Sequence, residues 1–279
     1  MSPCPCGLIG DLYHHEDTET GSPHREDEDN MFGAKVCFCT LAIHKAYRER
    51  ARRLIAGAAS QPWVVLTDVP EDFSDLKALN VRAIAHQPTG PMATDYLAVL
   101  PPTGEGRGAA AYHDKRFALM AALEGFKTAI YVDADSSVDG RLKLPKLRPG
   151  LAVLPVVQKS VRDHLTTCGE WRLPAFIDLA RHLTGSEEIL TRASWCHETL
   201  VAITKDGRES AFFDAWSKAA AFLQAREVFS GEGGVIGLAA ALAGWSVDYT
   251  SLDKLGSAIK HEGGGPKTFP EAIIKDSAE

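Results

Sequence analysis

From Ala34 onward the chain alternates short apolar, β-branched runs with helix-patterned segments, and this rhythm limits the possible folds more than any other feature. Residues 35–41 (Lys-Val-Cys-Phe-Cys-Thr-Leu) read as a strand and residues 45–56 as a helix. Trp63-Val-Val-Leu-Thr67 reads as a second strand ending at Asp68, and Val81-Arg-Ala-Ile-Ala85 as a third. The Pro- and Gly-rich stretch over 87–108 is expected to be irregular. A helix over 114–124 then leads through Gly125 into a fourth strand, Thr128-Ala-Ile-Tyr-Val-Asp133, which ends at Asp133. Strand, helix and strand in repetition predict a mostly parallel sheet covered by helices, the Rossmann-like α/β class, with ligands held at the carboxyl ends of the strands.

The second half is less regular. Residues 151–157 read as a strand, with Pro155 pointing to an edge position or a bulge because proline cannot donate to a ladder. A helix is expected over 174–183, a strand over 198–203 and a helix over 209–224. Gly231-Glu-Gly-Gly234 opens a further helix over 235–243 that Gly244 closes. From His261 the Gly- and Pro-rich sequence is expected to be a loop before a short final helix near Glu271, and no internal repeat is visible.

Charge separates the first 33 residues from the rest. Of the 37 acidic residues, eight fall there (Asp11, Glu16, Asp17, Glu19, Glu26, Asp27, Glu28 and Asp29) against Arg25 alone. The remaining chain has 29 basic and 29 acidic residues. Residues 1–33 carry too little large apolar surface to offset ordering entropy and are expected to form a disordered acidic leader to one domain over 34–279. A neutral body behind an acidic leader offers no footprint for nucleic acid or anionic lipid. No run approaches the roughly 18 apolar residues of a spanning helix, and the start lacks a signal-peptide pattern, so a cytoplasmic location is expected. Six cysteines in 279 residues do not make a disulfide framework. Cys37 and Cys39 read as small core residues. Cys4-Pro-Cys6, near His14, His15 and His24, could bind a soft metal but lacks the second matching pair of a zinc site.

Asp133 and Asp135 carry the chemistry. Alternate residues of a strand share a face, so two carboxylates flanking Ala134 could hold a hard divalent cation that is also bound to a substrate's phosphates. Solvated strand ends also carry aspartate.

The helix and strand around this pair, Lys115-Arg-Phe-Ala-Leu-Met-Ala-Ala-Leu-Glu-Gly-Phe126 followed by Thr128-Ala-Ile-Tyr-Val-Asp-Ala-Asp135, resemble those before the Asp-x-Asp motif of GT-A-fold glycosyltransferases. His261-Glu-Gly-Gly-Gly-Pro-Lys267 is similar to the His-x-x-Gly-x-x-Lys loop of the glycogenin and lipopolysaccharide galactosyltransferase group, although Thr268-Phe269 stands where that group has Pro-Trp. The resemblance implies a GT-A (nucleotide-diphospho-sugar transferase) fold and a hexosyl- or N-acetylhexosaminyl-type transferase. It implies Mn²⁺ or Mg²⁺ on Asp133, Asp135 and His261, with Ala134, Lys115 and Lys267 contacting a nucleotide-sugar donor, UDP-sugar by preference. Thr40, Leu41 and Ala42 fall where such enzymes hold the nucleoside, and Asp68, at the next strand end, either helps select the base through hydrogen bonds or is equally a turn residue before Pro70. Trp195-Cys-His-Glu198 resembles the Trp-His-Asp-Glu segment of blood-group-type transferases, and Glu232 lies at a helix N-terminus. Glu198 and Glu232 are therefore the candidate catalytic acids beside an unidentified acceptor, which is a saccharide, small molecule or protein. Two other classes compete: a haloacid-dehalogenase-like phosphatase or nucleotidyltransferase, and a non-catalytic nucleotide-sugar-binding or scaffold protein. The phosphatase motif usually opens its domain, whereas here several strand-helix units come first.

Overall fold

The computed structural model describes residues 35–89, 110–139, 142–154, 159–228 and 231–262. The acidic leader, Cys4-Pro-Cys6, Lys267 and the final helix expected near Glu271 lie outside them. A seven-stranded sheet runs in the order β3-β2-β1-β4-β7-β6-β8, formed by β1 (Val36–Ala42), β2 (Trp63–Thr67), β3 (Val81–Ala85), β4 (Thr128–Val132), β6 (Gly150–Val153), β7 (Leu200–Thr204) and β8 (Val247–Asp248). The neighbours of β1 pair parallel to it and β3 pairs parallel to β2, while β7 is antiparallel to both β4 and β6. The sheet is thus mostly parallel, as the strand-helix rhythm predicts.

Helices cover both faces, which is why β2, β4, β6 and β7 are buried along their whole length with no charged residue, whereas the edge strand β3 carries an exposed Arg82. On one face, Cys37, Cys39, Val64, Leu66, Ala129, Tyr131, Val201 and Ile203 pack in the larger core. That core includes Leu119 of α2 (Lys115–Gly125), Leu165 of α3 (Val161–Cys168), Phe176 of α4 (Leu173–Thr184) and Leu190 of α5 (Ile189–Arg192). It also takes in Trp216 of α6 (Glu209–Gln224) and Ile236 of α7 (Glu232–Leu242). The intervening residues Phe38, Trp63, Val65, Ile130, Val132 and Ala202 face a second core. There they join Leu54 and Ile55 of α1 (Lys45–Gly57), Phe73 of a 3₁₀ segment (Pro70–Leu79) and Leu255 of α8 (Asp253–Gly256).

Chain order places β2 and β3 on one side of β1 and β4 on the other, so the connections diverge between β1 and β4. In open parallel sheets the crevice outside the strand ends at such a reversal is where ligands bind.

Five sequence expectations change. Asp133 and Asp135 are not strand residues: β4 ends at Val132, and a turn in which Ser136 N donates to Asp133 O at 3.0 Å carries both aspartates. His261 is not in a loop; it ends β9 (Ile259–His261), which pairs antiparallel with β5 (Ser136–Val138) as a separate two-stranded ribbon. β6 ends at Val153, before Pro155, and lies between β7 and β8, so it is no edge strand. Residue 198 precedes β7, and α7 starts at Glu232 with Gly233 and Gly234 inside its first turn.

Candidate functional site

The ribbon answers how a residue at 261 meets residues at 133 and 135. Ser136 lies opposite His261 in register, and Glu262 N donates to Asp135 O at 2.8 Å, so backbone bonds hold β9 against the aspartate turn. Val138 seats the ribbon on α1: a Cβ at Gly57 would lie 3.1 Å from Val138 Cβ, and glycine there allows the approach. The result is a group in which one ligand atom each from Asp133, Asp135 and His261 lies within 4.8 Å of the others. His261 Nε2 is 3.0 Å from Asp135 Oδ1 and 3.9 Å from Asp133 Oδ2. Two carboxylate oxygens and an imidazole nitrogen from converging segments are a donor set that could hold a divalent metal ion.

Lys115 closes the inner side. The first residue of α2, it is buried with Nζ 3.0 Å from Asp133 Oδ1, 3.7 Å from Glu232 Oε1 and 3.4 Å from the Glu198 carbonyl oxygen, which accepts its hydrogen bond. Burial works to strip its proton, but Asp133, Glu232 and Glu198 outweigh that and hold the ammonium charged, its pKa raised. The preceding residue fixes where α2 begins: Asp114, fully buried, accepts from Thr89 N at 2.9 Å and bonds His86 Nε2 at 2.9 Å. The aspartates respond differently to their neighbours. Burial raises the Asp133 carboxyl, with Lys115 pulling the other way and Asp135 adding to the rise. At Asp135 burial also acts upward, but the His261 hydrogen bond and charge prevail and the pKa is lowered. That hydrogen bond correspondingly raises His261 against the effect of its burial.

The acid pair stands on the other side of Lys115. Asp133 N donates to Thr199 O at 3.1 Å, tying the aspartate turn to the segment that carries Glu198. Glu232 is placed by the glycines that follow it. A Cβ at Gly233 would lie 2.1 Å from Cys196 O and one at Gly237 1.7 Å from Ser194 O, so α7 can lie against the 194–196 backbone only as it is. Burial, then the Glu232 carboxylate, pushes Glu198 up to about 7. That value suits a group that exchanges a proton near neutral pH.

The structure therefore brings Lys115, Asp133, Asp135, Glu198, Glu232 and His261 together. Ala134 is buried within the aspartate turn. Thr40 is fully buried in β1 with a hydroxyl that has no hydrogen-bond partner, and Leu41 packs against the larger core. Asp68 accepts from Arg48 NH1 at 2.7 Å and from the His44 amide at 3.2 Å, which ties the end of β2 to the start of α1. Sequence reasoning missed Arg50 and Tyr47. Arg50 NH1 is 3.9 Å from Asp135 Oδ2, and Asp135 is the charge that most raises the half-buried Tyr47 hydroxyl after burial itself. The available signal was their spacing of three on the helix after the first strand, which faces one way and begins at the carboxyl edge of the sheet. Among the described residues no helix is long and apolar enough to cross a membrane. No protein-family model matches this chain, and no curated protein matches it significantly.

Proposed function

We propose that this protein is a metal-dependent glycosyltransferase of the GT-A type that moves a sugar from a nucleoside-diphosphate donor, a UDP-sugar first, to a hydroxyl-bearing acceptor. The observation that carries the reading is the convergence of His261 on Asp133 and Asp135 beside the β1–β4 reversal of a mostly parallel sheet. Mn²⁺ or Mg²⁺ suits the oxygen-rich donor set, and when bound it would supply positive charge for a diphosphate leaving group. The chain's own residues divide the remaining work. Asp133, Asp135 and His261 hold the ion, and Lys115 fixes Asp133 from behind. Glu198 and Glu232 face the acceptor, and Glu198, with a pKa of about 7, takes up the hydroxyl proton in its ionised, carboxylate form. Lys267, at the His-x-x-Gly-x-x-Lys spacing, adds a second cation for the diphosphate.

Calorimetric titration with UDP-, GDP- and dTDP-sugars, with and without Mn²⁺, tests this. Metal-dependent binding of one donor class, lost in Asp135→Ala, is the expected result. Binding indifferent both to the ion and to Asp135→Ala overturns the reading.

A further inference from the structure

Helix α1 sends three arginines toward neighbouring elements, and two are committed. Arg48 bonds Asp68 at 2.7 Å and Asp72 at 2.6 Å, and Arg52 NH2 bonds Asp75 at 2.7 Å. Arg50 is different. Among the described residues its one carboxylate neighbour is Asp135, with NH1 3.9 Å from Oδ2 and so beyond hydrogen-bond reach, which leaves its planar set of donors unspent there. Its side chain is one-third exposed, and its guanidinium carbon lies 5.6 Å from the centre of the Tyr47 ring, which restrains where it points. The Asp135 carboxylate it approaches is one of the three groups that could hold a divalent cation.

A cation beside a metal site weakens metal binding by like-charge repulsion, so its placement calls for an anion to follow the ion. The charges can be counted. Asp133 and Asp135 neutralise a divalent ion, His261 as a ligand is neutral, and Glu232 answers Lys115 at 3.7 Å. With an ion on the two aspartates, Arg50 has no other carboxylate within 4.0 Å among the described residues. A phosphate oxygen bound to the ion would lie next to a guanidinium whose fork matches phosphate geometry.

We infer that Arg50 is a diphosphate-binding residue, exchanging its loose contact with Asp135 for the phosphate oxygens of a metal-bound diphosphate. The inference rests on the donor chemistry proposed above and names the residue that makes the site select a diphosphate over a single phosphate. No bond is made or broken; one ionic contact replaces another.

The test is calorimetry on the full chain and on Arg50→Gln and Arg50→Lys, using Mn²⁺ alone and then UDP, UMP and inorganic pyrophosphate in saturating Mn²⁺. Arg50→Gln is expected to weaken UDP and pyrophosphate by about ten- to a hundredfold, the loss of a charge-assisted hydrogen-bonded pair. UMP should change much less, and Mn²⁺ alone should bind equally or more tightly, with Arg50→Lys in between. The opposed signs for ion and diphosphate separate this role from a structural one. Arg50-dependent pyrophosphate binding without UDP binding would keep this inference and remove the nucleotide-sugar reading. Unchanged UDP and pyrophosphate affinity in Arg50→Gln, an equal loss of Mn²⁺ binding, or no binding of either by the native protein would overturn it.

Discussion

The two halves of the site use the same residue chemistry and are built by opposite means. Asp133, Asp135 and His261 are joined by a ribbon of backbone hydrogen bonds at the mouth of the sheet, where the His261 side chain is 41% exposed. Glu198 and Glu232 are set by close contact of a glycine-rich helix with the 194–196 backbone, where the Glu232 side chain is 9% exposed. The ionisation follows the construction. Asp135 overcomes burial because an imidazole lies 3.0 Å away, and its pKa falls; Glu198 has burial and a neighbouring acid, and its pKa rises. Counter-charge and burial, not residue type, set the two carboxylates apart, which in the proposed reading suits one to a metal ion and the other to proton exchange. Lys115 touches both halves, so each can be disturbed alone only if the damage stays on its own side.

Breaking the acid half should have the largest effect. Gly237→Ala puts a Cβ 1.7 Å from Ser194 O, a backbone atom that cannot swing aside. It is expected to cost about 3 kcal/mol or more in urea denaturation, at the upper end for overpacking. The triad rests on β4, β5 and β9, so Mn²⁺ affinity of the folded fraction should be unchanged. A matched loss of Mn²⁺ binding would show that the halves are one unit.

Breaking the metal half should come next. Asp135→Ala removes the carboxylate common to the His261 and Arg50 contacts and is expected to lower Mn²⁺ affinity at least about a hundredfold. Saturating ion at about 100 times Kd stabilises a native protein by about 2.7 kcal/mol, so a Mn²⁺-dependent rise in Tm is expected of the native protein in a thermal melt and should be lost in the variant.

The two halves also differed in how far the sequence revealed them. β1, β2, β4, α1 and α2 were legible because strands buried on both faces are nearly unbroken apolar runs and the helices between them are amphipathic, and the edge strand β3 was legible from the four apolar residues around Arg82. β5, β8 and β9 were not, since two or three residues cannot establish a period of two. Asp133, Asp135 and His261 could be picked out as residue types, but the ribbon that joins them is a long-range pairing with no local signature. α3 was missed despite its cap, in which Ser160 Oγ accepts from Asp163 N at 3.0 Å, because its eight residues bury only Val161 and Leu165. Arg50 was overlooked for another reason: its one signal is the spacing of three from Tyr47, in a helix with four arginines of which Arg48 and Arg52 are paired with Asp68, Asp72 and Asp75.

A smaller change sharpens the account of the ribbon. If β9 serves the site by presenting one imidazole, His261→Ala should weaken Mn²⁺ about tenfold, about 1.4 kcal/mol, while leaving Asp133 and Asp135 as a two-carboxylate site. Calorimetry gives the number. A loss as large as that of Asp135→Ala would mean that His261 holds the aspartate turn in place as well as supplying a ligand.

The smallest effect should come from Glu198→Gln, and its sign is the informative part. The folded carboxyl sits at about 7, above the roughly 4.3 of an unfolded glutamate, so between those values the folded chain keeps a proton that the unfolded chain has released. Stability from this group is complete below about pH 4.3 and is lost as pH rises through 7. Glutamine keeps the shape without ionising. Native and variant should therefore unfold at the same denaturant concentration near pH 4, and at pH 8 the variant should be the more stable by about 1 kcal/mol, partial exposure holding the figure below the full value. Urea midpoints at the two pH values measure it. A variant less stable at pH 8 would mean that Glu198 is ionised and paired like Asp135, and the division between a ligand half and a proton-exchanging half would fall.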